Sequence, residues 1–130
     1  MQMTVKSCSR LSQIICISFH DAGAEGFYHG LVLGLIALMD NQYKIKSNRE
    51  SGKGRYDICM IPRSKQYPGI IMEMKWKKDL SSQSLELLAK EAMAQIETNH
   101  YEEELQENGV SRTLKFGIAF SGKELDICMN

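Results

Sequence analysis

The sequence predicts an α/β fold whose elements follow the order α-β-β-β-α-β-β. Short segments rich in apolar and β-branched residues alternate with two longer segments whose apolar residues recur at helical spacing. The chain has 130 residues, 43% hydrophobic and 25% charged, which is enough apolar content for the core of one compact domain. We assign this core to residues 21–130 and leave 1–20 unassigned, since its apolar residues fit either a short helix or a strand.

The strand predicted over residues 70–76 carries charge within an apolar run. Side chains alternate between the faces of a strand, so Ile71, Glu73 and Lys75 share one face and four apolar residues share the other. Because buried charge is costly unless it is compensated, an ordinary core strand avoids such a pair. The alternative is an edge strand whose Glu73 and Lys75 lie in water.

A second acid precedes this strand. Asp57 lies near the start of a strand predicted over residues 55–61, and residues 62–69 are typical of a connecting turn. If the two strands form a hairpin, the pattern Asp57-x15-Glu73-x-Lys75 brings two carboxylates together. Such an oxygen-rich site suits a hard divalent cation such as Mg²⁺. Lys75 would then stabilise developing negative charge or help to position a water.

The first helix is predicted over residues 21–41, with Asp21 as its N-cap. Glycines at every fourth position, Gly26, Gly30 and Gly34, predict a smooth stripe that lets this helix pack closely against the sheet or another helix. Glu25 lies one turn before His29. The two form either a solvated pair or a site in which Glu25 adds an acid to the metal ligands.

The remaining elements follow in order. A strand over 43–50 and a glycine-rich turn over 51–54 lead into the Asp57 strand, and a long helix over 81–108 ends at Gly109. Gln95 lies near the inner face of that helix, as a core amide or as a polar group at the site; we favour the second. Strands over 113–120 and 125–129 form the last hairpin.

Charge is unevenly distributed although the net charge is zero. Residues 44–78 contain ten basic and three acidic residues, whereas residues 79–107 contain eight acidic residues and one basic residue. The basic segment predicts a surface that meets phosphates, and the acidic helix would face away from it or face a partner. The alternative is that both are ordinary solvated surfaces.

The cysteines predict a reducing, cytoplasmic environment. Cys59 and Cys128 lie within apolar strands, as buried free thiols do, and none of the four cysteines forms a C-x-x-C pair. The apolar run over 31–39 is too short to span a bilayer, which predicts no membrane association. The glycine stripe and the apolar N-terminal segment predict self-association, for example as a homodimer.

Several further segments resemble a known family. They are GFYHG (26–30), SNRESGKGRYD (47–57), AQIE (94–97) and FGIAFSGK (116–123), and with the acid-x15-acid-x-Lys pattern they resemble the PD-(D/E)XK nuclease superfamily over about residues 18–128. Within it, these segments resemble one branch, the nuclease-like domain that follows a predicted AAA-type ATPase domain in bacterial and archaeal proteins. The resemblance implies a restriction-endonuclease-like core, a mixed β-sheet flanked by helices.

The resemblance also implies roles for individual residues. Asp57, Glu73, the Met74 carbonyl and the auxiliary acid Glu25 would bind Mg²⁺, with Mn²⁺ able to substitute. Lys75 would orient the attacking water or hold the phosphate, and Gln95 would be the polar helix residue near the site. The implied function is metal-dependent hydrolysis of DNA. The alternative is a non-catalytic module of the same fold that binds nucleic acid or docks an AAA-type ATPase.

Overall fold

The computed structural model describes residues 2–4, 25–47 and 56–130. The elements of these residues are β1 (Gln2–Thr4), α1 (Glu25–Ile36), a 3-10 turn (Ala37–Met39), β2 (Tyr43–Ser47), β3 (Ile58–Pro62), β4 (Gly69–Trp76), α2 (Ser82–Thr98), α3 (Glu103–Glu107), β5 (Thr113–Ser121) and β6 (Glu124–Met129). The predicted α/β class and the order of its elements are confirmed. β1, in the segment left unassigned, is an addition.

The described strands form one mixed sheet in the order β1-β6-β5-β4-β3-β2. Neighbouring strands are antiparallel except for β4 and β5, which are parallel. Parallel neighbours need a crossover connection, which α2 and α3 provide. β4 therefore lies inside the sheet, with β3 on one side and β5 on the other, and its interpretation as an edge strand is wrong.

The two faces of the sheet carry separate cores. On one face, Met74 of β4 packs with Tyr28 of α1, whose ring stacks on Phe120 with centroids 4.4 Å apart. On the other face, Ile71 packs with residues of α2 such as Ile96. The alternation predicted for 70–76 therefore separates the two layers of the fold.

The N-terminus of α2 and its contact with the sheet follow from small residues. Ser81 caps the helix, its side chain accepting a hydrogen bond from the Ser84 amide at 3.2 Å. At Gly117 of β5, an added Cβ would lie 2.4 Å from the carbonyl oxygen of Ala89 and 2.6 Å from the Met93 nitrogen. Only glycine fits there, so α2 lies with its backbone directly on the sheet.

The single helix predicted over 81–108 is wrong. α2 ends at Thr98, and His100 adopts a left-handed conformation with φ of 50°. The break lets Tyr101 and Leu105 turn into the core under β3 and β4, which a straight helix would prevent. The predicted end at Gly109 is confirmed, since its φ of 79° allows the bonds that close α3.

The glycine stripe of α1 makes no close contact with the sheet in the part of the chain that the structure describes. A Cβ at Gly30 or Gly34 would meet nothing within 4 Å, so neither glycine makes a close approach to the described residues. The buried face of α1 instead begins with Tyr28 and His29, while Leu38 beyond the helix is 89% exposed. The predicted cap Asp21 lies outside the described residues.

Strand boundaries differ from the predictions by a few residues. Asp57 directly precedes β3, which begins at Ile58 and includes Pro62 as its last residue. β2 ends at Ser47, and the glycine-rich turn over 51–54 lies outside the described residues. Among the helices that the structure describes, none has the length and apolar character to cross a membrane.

The contact at Gly117 predicts a large difference between two glycine substitutions. Gly117→Ala forces a methyl group into the α2 backbone and should lower the free energy of unfolding by about 1–3 kcal/mol. Gly34→Ala, in an open helical position, should raise it by about 0.5–1 kcal/mol because alanine favours the helix. Urea denaturation of both variants checks this; equal effects would contradict the close packing of α2.

Burial of Cys59 predicts an unreactive thiol. The side chain has no exposed surface, and burial, with a smaller contribution from Glu104, raises the pKa of Cys59 to about 12. Because the thiolate is the nucleophile, Cys59 should resist iodoacetamide from pH 8 to pH 10 in the folded protein, while the partly exposed Cys128 reacts. Peptide mapping by mass spectrometry measures both; labelling of Cys59 as fast as Cys128 would contradict its burial.

Candidate active site

Asp57 lies where the β3–β4 hairpin ends. The last aligned pair of that hairpin is Ile58 with Met72, so Asp57 is the next residue outward and lies beside Glu73 and Met74. Its carboxylate Oδ2 accepts a hydrogen bond from the Met74 amide at 2.7 Å, and its own amide donates to the Met72 carbonyl at 3.2 Å. The carboxylate is therefore fixed against the backbone of the strand that carries the second acid.

Glu73 is buried on the face of β4 that α2 covers. It is only 6% exposed, and its Oε1 accepts a hydrogen bond from Gln95 Nε2 at 2.7 Å. A buried carboxylate needs such donors, because desolvation otherwise makes its charge costly. Gln95 is thus directed at Glu73, in agreement with the second of the two sequence interpretations.

Lys75 and Met74 complete the predicted set on β4. Lys75 follows Glu73 by two residues, is partly buried and lies opposite the small residue Ala119 of β5. The Met74 amide binds Asp57, while its side chain points into the core on the α1 face. The structure brings together Asp57, Glu73, the Met74 backbone and Gln95. Lys75 lies two residues after Glu73, on the same face of β4 as Glu73.

The position of Glu25 is described only through its backbone. It is the first residue of α1, and its side chain lies outside the described part of the chain. His29, one turn later, is 5% exposed, and its Nε2 lies 2.7 Å from the Ser47 hydroxyl oxygen. The prediction of a solvated pair is therefore wrong for His29, which ties α1 to the end of β2.

The donors at this end of the hairpin suit a hard cation. Within 28–47 and 56–130, no three side chains of His, Cys, Asp or Glu converge as metal ligands. The candidate ligands are instead two carboxylates and the Met74 carbonyl, all of them oxygen donors. Asp57 is fixed at the Glu73–Met74 peptide, and oxygen donors of this kind are the ones that a hard divalent cation prefers.

The described part of the basic segment is divided between the two ends of the hairpin. The hairpin places Arg63 and Lys65 at its turn, whereas Lys77 and Lys78 follow β4 at the end where Asp57 lies. All four are exposed. Of these four, Lys77 and Lys78 lie at the end of the hairpin that carries the two acids.

The acidic segment is partly paired with the sheet. Glu104 of α3 bonds to Lys46 Nζ at 2.5 Å, and Glu102 lies 3.5 Å from Lys115. Neither sequence interpretation, a face turned away or one meeting a partner, included these internal pairs.

A polar network next to Asp57 was missed by the sequence analysis. The Tyr56 hydroxyl donates to Glu104 Oε2 at 2.6 Å, and Lys46 binds the other oxygen of the same carboxylate. Position 56, directly before the predicted acid, was the one available signal. Glu104 gave none, since its approach depends on the unexpected break after α2.

Comparison with known proteins agrees with this geometry. The family model of the PD-(D/E)XK nuclease superfamily matches residues 23–130. No curated protein and no solved structure matches the chain. The match covers the hairpin, both acids and the crossover helix, so the chain belongs to the PD-(D/E)XK nuclease superfamily.

Proposed function

We propose that this protein is a Mg²⁺-dependent nuclease that hydrolyses phosphodiester bonds in DNA. The observation that carries the proposal is the hydrogen bond of 2.7 Å from the Met74 amide to Asp57, which holds this acid beside the buried Glu73. Membership in a superfamily of nucleases supports the reaction class. DNA, rather than RNA, is our inference from the sequence resemblance.

Each residue has a role that follows from its position. Asp57 and Glu73 bind the cation through oxygen atoms, with the Met74 carbonyl, and Gln95 keeps the Glu73 carboxylate in one orientation. The Lys75 ammonium group lies on the same face and stabilises negative charge on the phosphate or orients the attacking water. Glu25, at the start of α1, is the proposed auxiliary acid.

The cation, when bound, supplies Lewis-acid activation of water and neutralises charge on the phosphate. Mn²⁺ offers similar oxygen coordination and is expected to substitute.

We also propose a partner on the sequence resemblance alone. The branch that this chain resembles follows an AAA-type ATPase domain, so an ATPase in the same chain or another would deliver or remodel the nucleic acid. A non-catalytic module that binds DNA or docks such an ATPase is the competing function. The activity measurement separates the two.

Substitutions at three positions should abolish cleavage. Asp57→Asn, Glu73→Gln and Lys75→Met keep side-chain size but remove a charge needed at the site. Each should lower the rate by at least about 100-fold, as loss of a charged group at a reacting phosphate does. Cleavage of plasmid and linear single-stranded DNA, with Mg²⁺, Mn²⁺ or EDTA, measures this.

The matched control is Glu86→Gln on the exposed surface of α2, where Glu86 pairs with Lys90 at 3.1 Å. This variant should retain full activity. Unfolding curves exclude a folding defect in the three site variants. Cleavage that persists in EDTA, or in Glu73→Gln, would disprove the proposed site.

The division of the basic segment predicts different effects on DNA binding. Lys77→Glu changes a lysine at the site end of β4, while Lys65→Glu changes an equally exposed lysine at the hairpin turn. Lys77→Glu should weaken binding to all sequences alike and reduce the salt dependence by about one counterion. Lys65→Glu should change neither. Fluorescence anisotropy between low and high salt measures both, and equal effects would place the DNA elsewhere.

A further inference from the structure

Asp57 lies just outside the regular pairing of the β3–β4 hairpin. Asp57 precedes the first residue of β3 and is joined to β4 by its amide and its carboxylate. Tyr56 is the residue that leads into it, so the placement of Tyr56 constrains the backbone of Asp57 from the N-terminal side.

Tyr56 is held in place from two directions. Its side chain is 3% exposed and packs in the core between the sheet and α2, with its ring edge-on to Tyr101 at 5.9 Å and 86°. Its hydroxyl donates to Glu104 Oε2 at 2.6 Å. Packing of the ring holds Tyr56 in the core, and the hydrogen bond of its hydroxyl directs the side chain toward Glu104 on α3.

Glu104 connects this tyrosine to the neighbouring strand. Its Oε1 lies 2.5 Å from Lys46 Nζ, and Lys46 lies opposite Cys59 in the β2–β3 pair. The side chains of Lys46 and Glu104 are 37% and 25% exposed, and an ion pair of that exposure adds little to stability. Its geometric effect is larger, because it holds the acceptor of the Tyr56 hydroxyl between two elements.

We propose that Tyr56, Glu104 and Lys46 form a positioning network that sets the place of the Asp57 carboxylate against the Met74 amide. In this proposal the three are positioning residues, which act through Asp57 and not directly on substrate or cation. The proposal rests on the proposed function for what Asp57 does, but the position of Asp57 is measurable without any activity.

The first measurement is amide hydrogen exchange of the metal-free protein by NMR. Tyr56→Phe keeps the buried ring and removes the hydroxyl. We expect the Met74 amide, which donates to Asp57, to exchange about tenfold faster while other β4 amides keep their protection. Glu104→Ala should have the same effect, and Glu104→Gln, which keeps an oxygen to accept from Tyr56, should largely restore protection.

The second measurement is the Mg²⁺ concentration that gives half-maximal binding in calorimetry. Partners that orient a metal ligand typically change affinity by 10-fold or more, so Tyr56→Phe should raise this concentration by about tenfold. The matched control is Glu102→Gln. Glu102 lies two residues from Glu104, has a similar side-chain exposure of 23% and also pairs with a lysine, Lys115 on β5. It should leave both measurements unchanged.

The outcomes separate this proposal from the nuclease assignment. Unchanged Met74 exchange in Tyr56→Phe overturns the network, whatever the metal result. Equal acceleration of all β4 amides, or the same change in Glu102→Gln, also overturns it, because the effect would then be general stability. Selective Met74 exchange with no Mg²⁺ binding by any variant supports the network and instead rejects the metal site.

Discussion

The burial of Glu73 is the constraint on which the rest of the fold depends. A carboxylate that is 6% exposed in an interior strand loses most of its hydration, and this loss must be compensated by nearby donors. Gln95 supplies one at 2.7 Å, but only if α2 lies close enough for a short amide side chain to reach β4. The close approach of the helix is therefore a requirement of the buried charge as well as a feature of packing.

Gly117, on the neighbouring strand β5, allows α2 to approach the sheet this closely. It lies directly opposite Glu73 in the parallel β4–β5 pair, and its missing side chain lets the backbone of α2 rest on the sheet at Ala89 and Met93. Parallel pairing of β4 and β5 in turn requires the crossover that α2 provides. The strand order, the small residue and the orientation of the acid are thus parts of one arrangement.

Local patterns made the hairpin predictable, and long-range contacts limited the rest. Alternation in 70–76 correctly placed Glu73 and Lys75 on one face, because period-two patterning follows from strand geometry alone. The break after α2 was missed because it depends on tertiary packing. Burial of Leu105 in the core outweighs the preference of the local sequence for a continuous helix, and a periodic pattern does not show such long-range contacts. The spacing of glycines in α1 does not say which face of a helix is covered, and Gly34 meets none of the described residues.

The same break determines the electrostatics around the site. By turning α3 toward β2, it brings Glu104 to Lys46, so one cation of the basic segment is neutralised inside the molecule. The hairpin carries two others, Arg63 and Lys65, to its opposite end. Among the described residues, the cations at the site end of β4 include Lys75 and the exposed pair Lys77 and Lys78, where an anion would meet a positive field. A sequence that is neutral overall can in this way present a localised cationic surface beside a pair of acids.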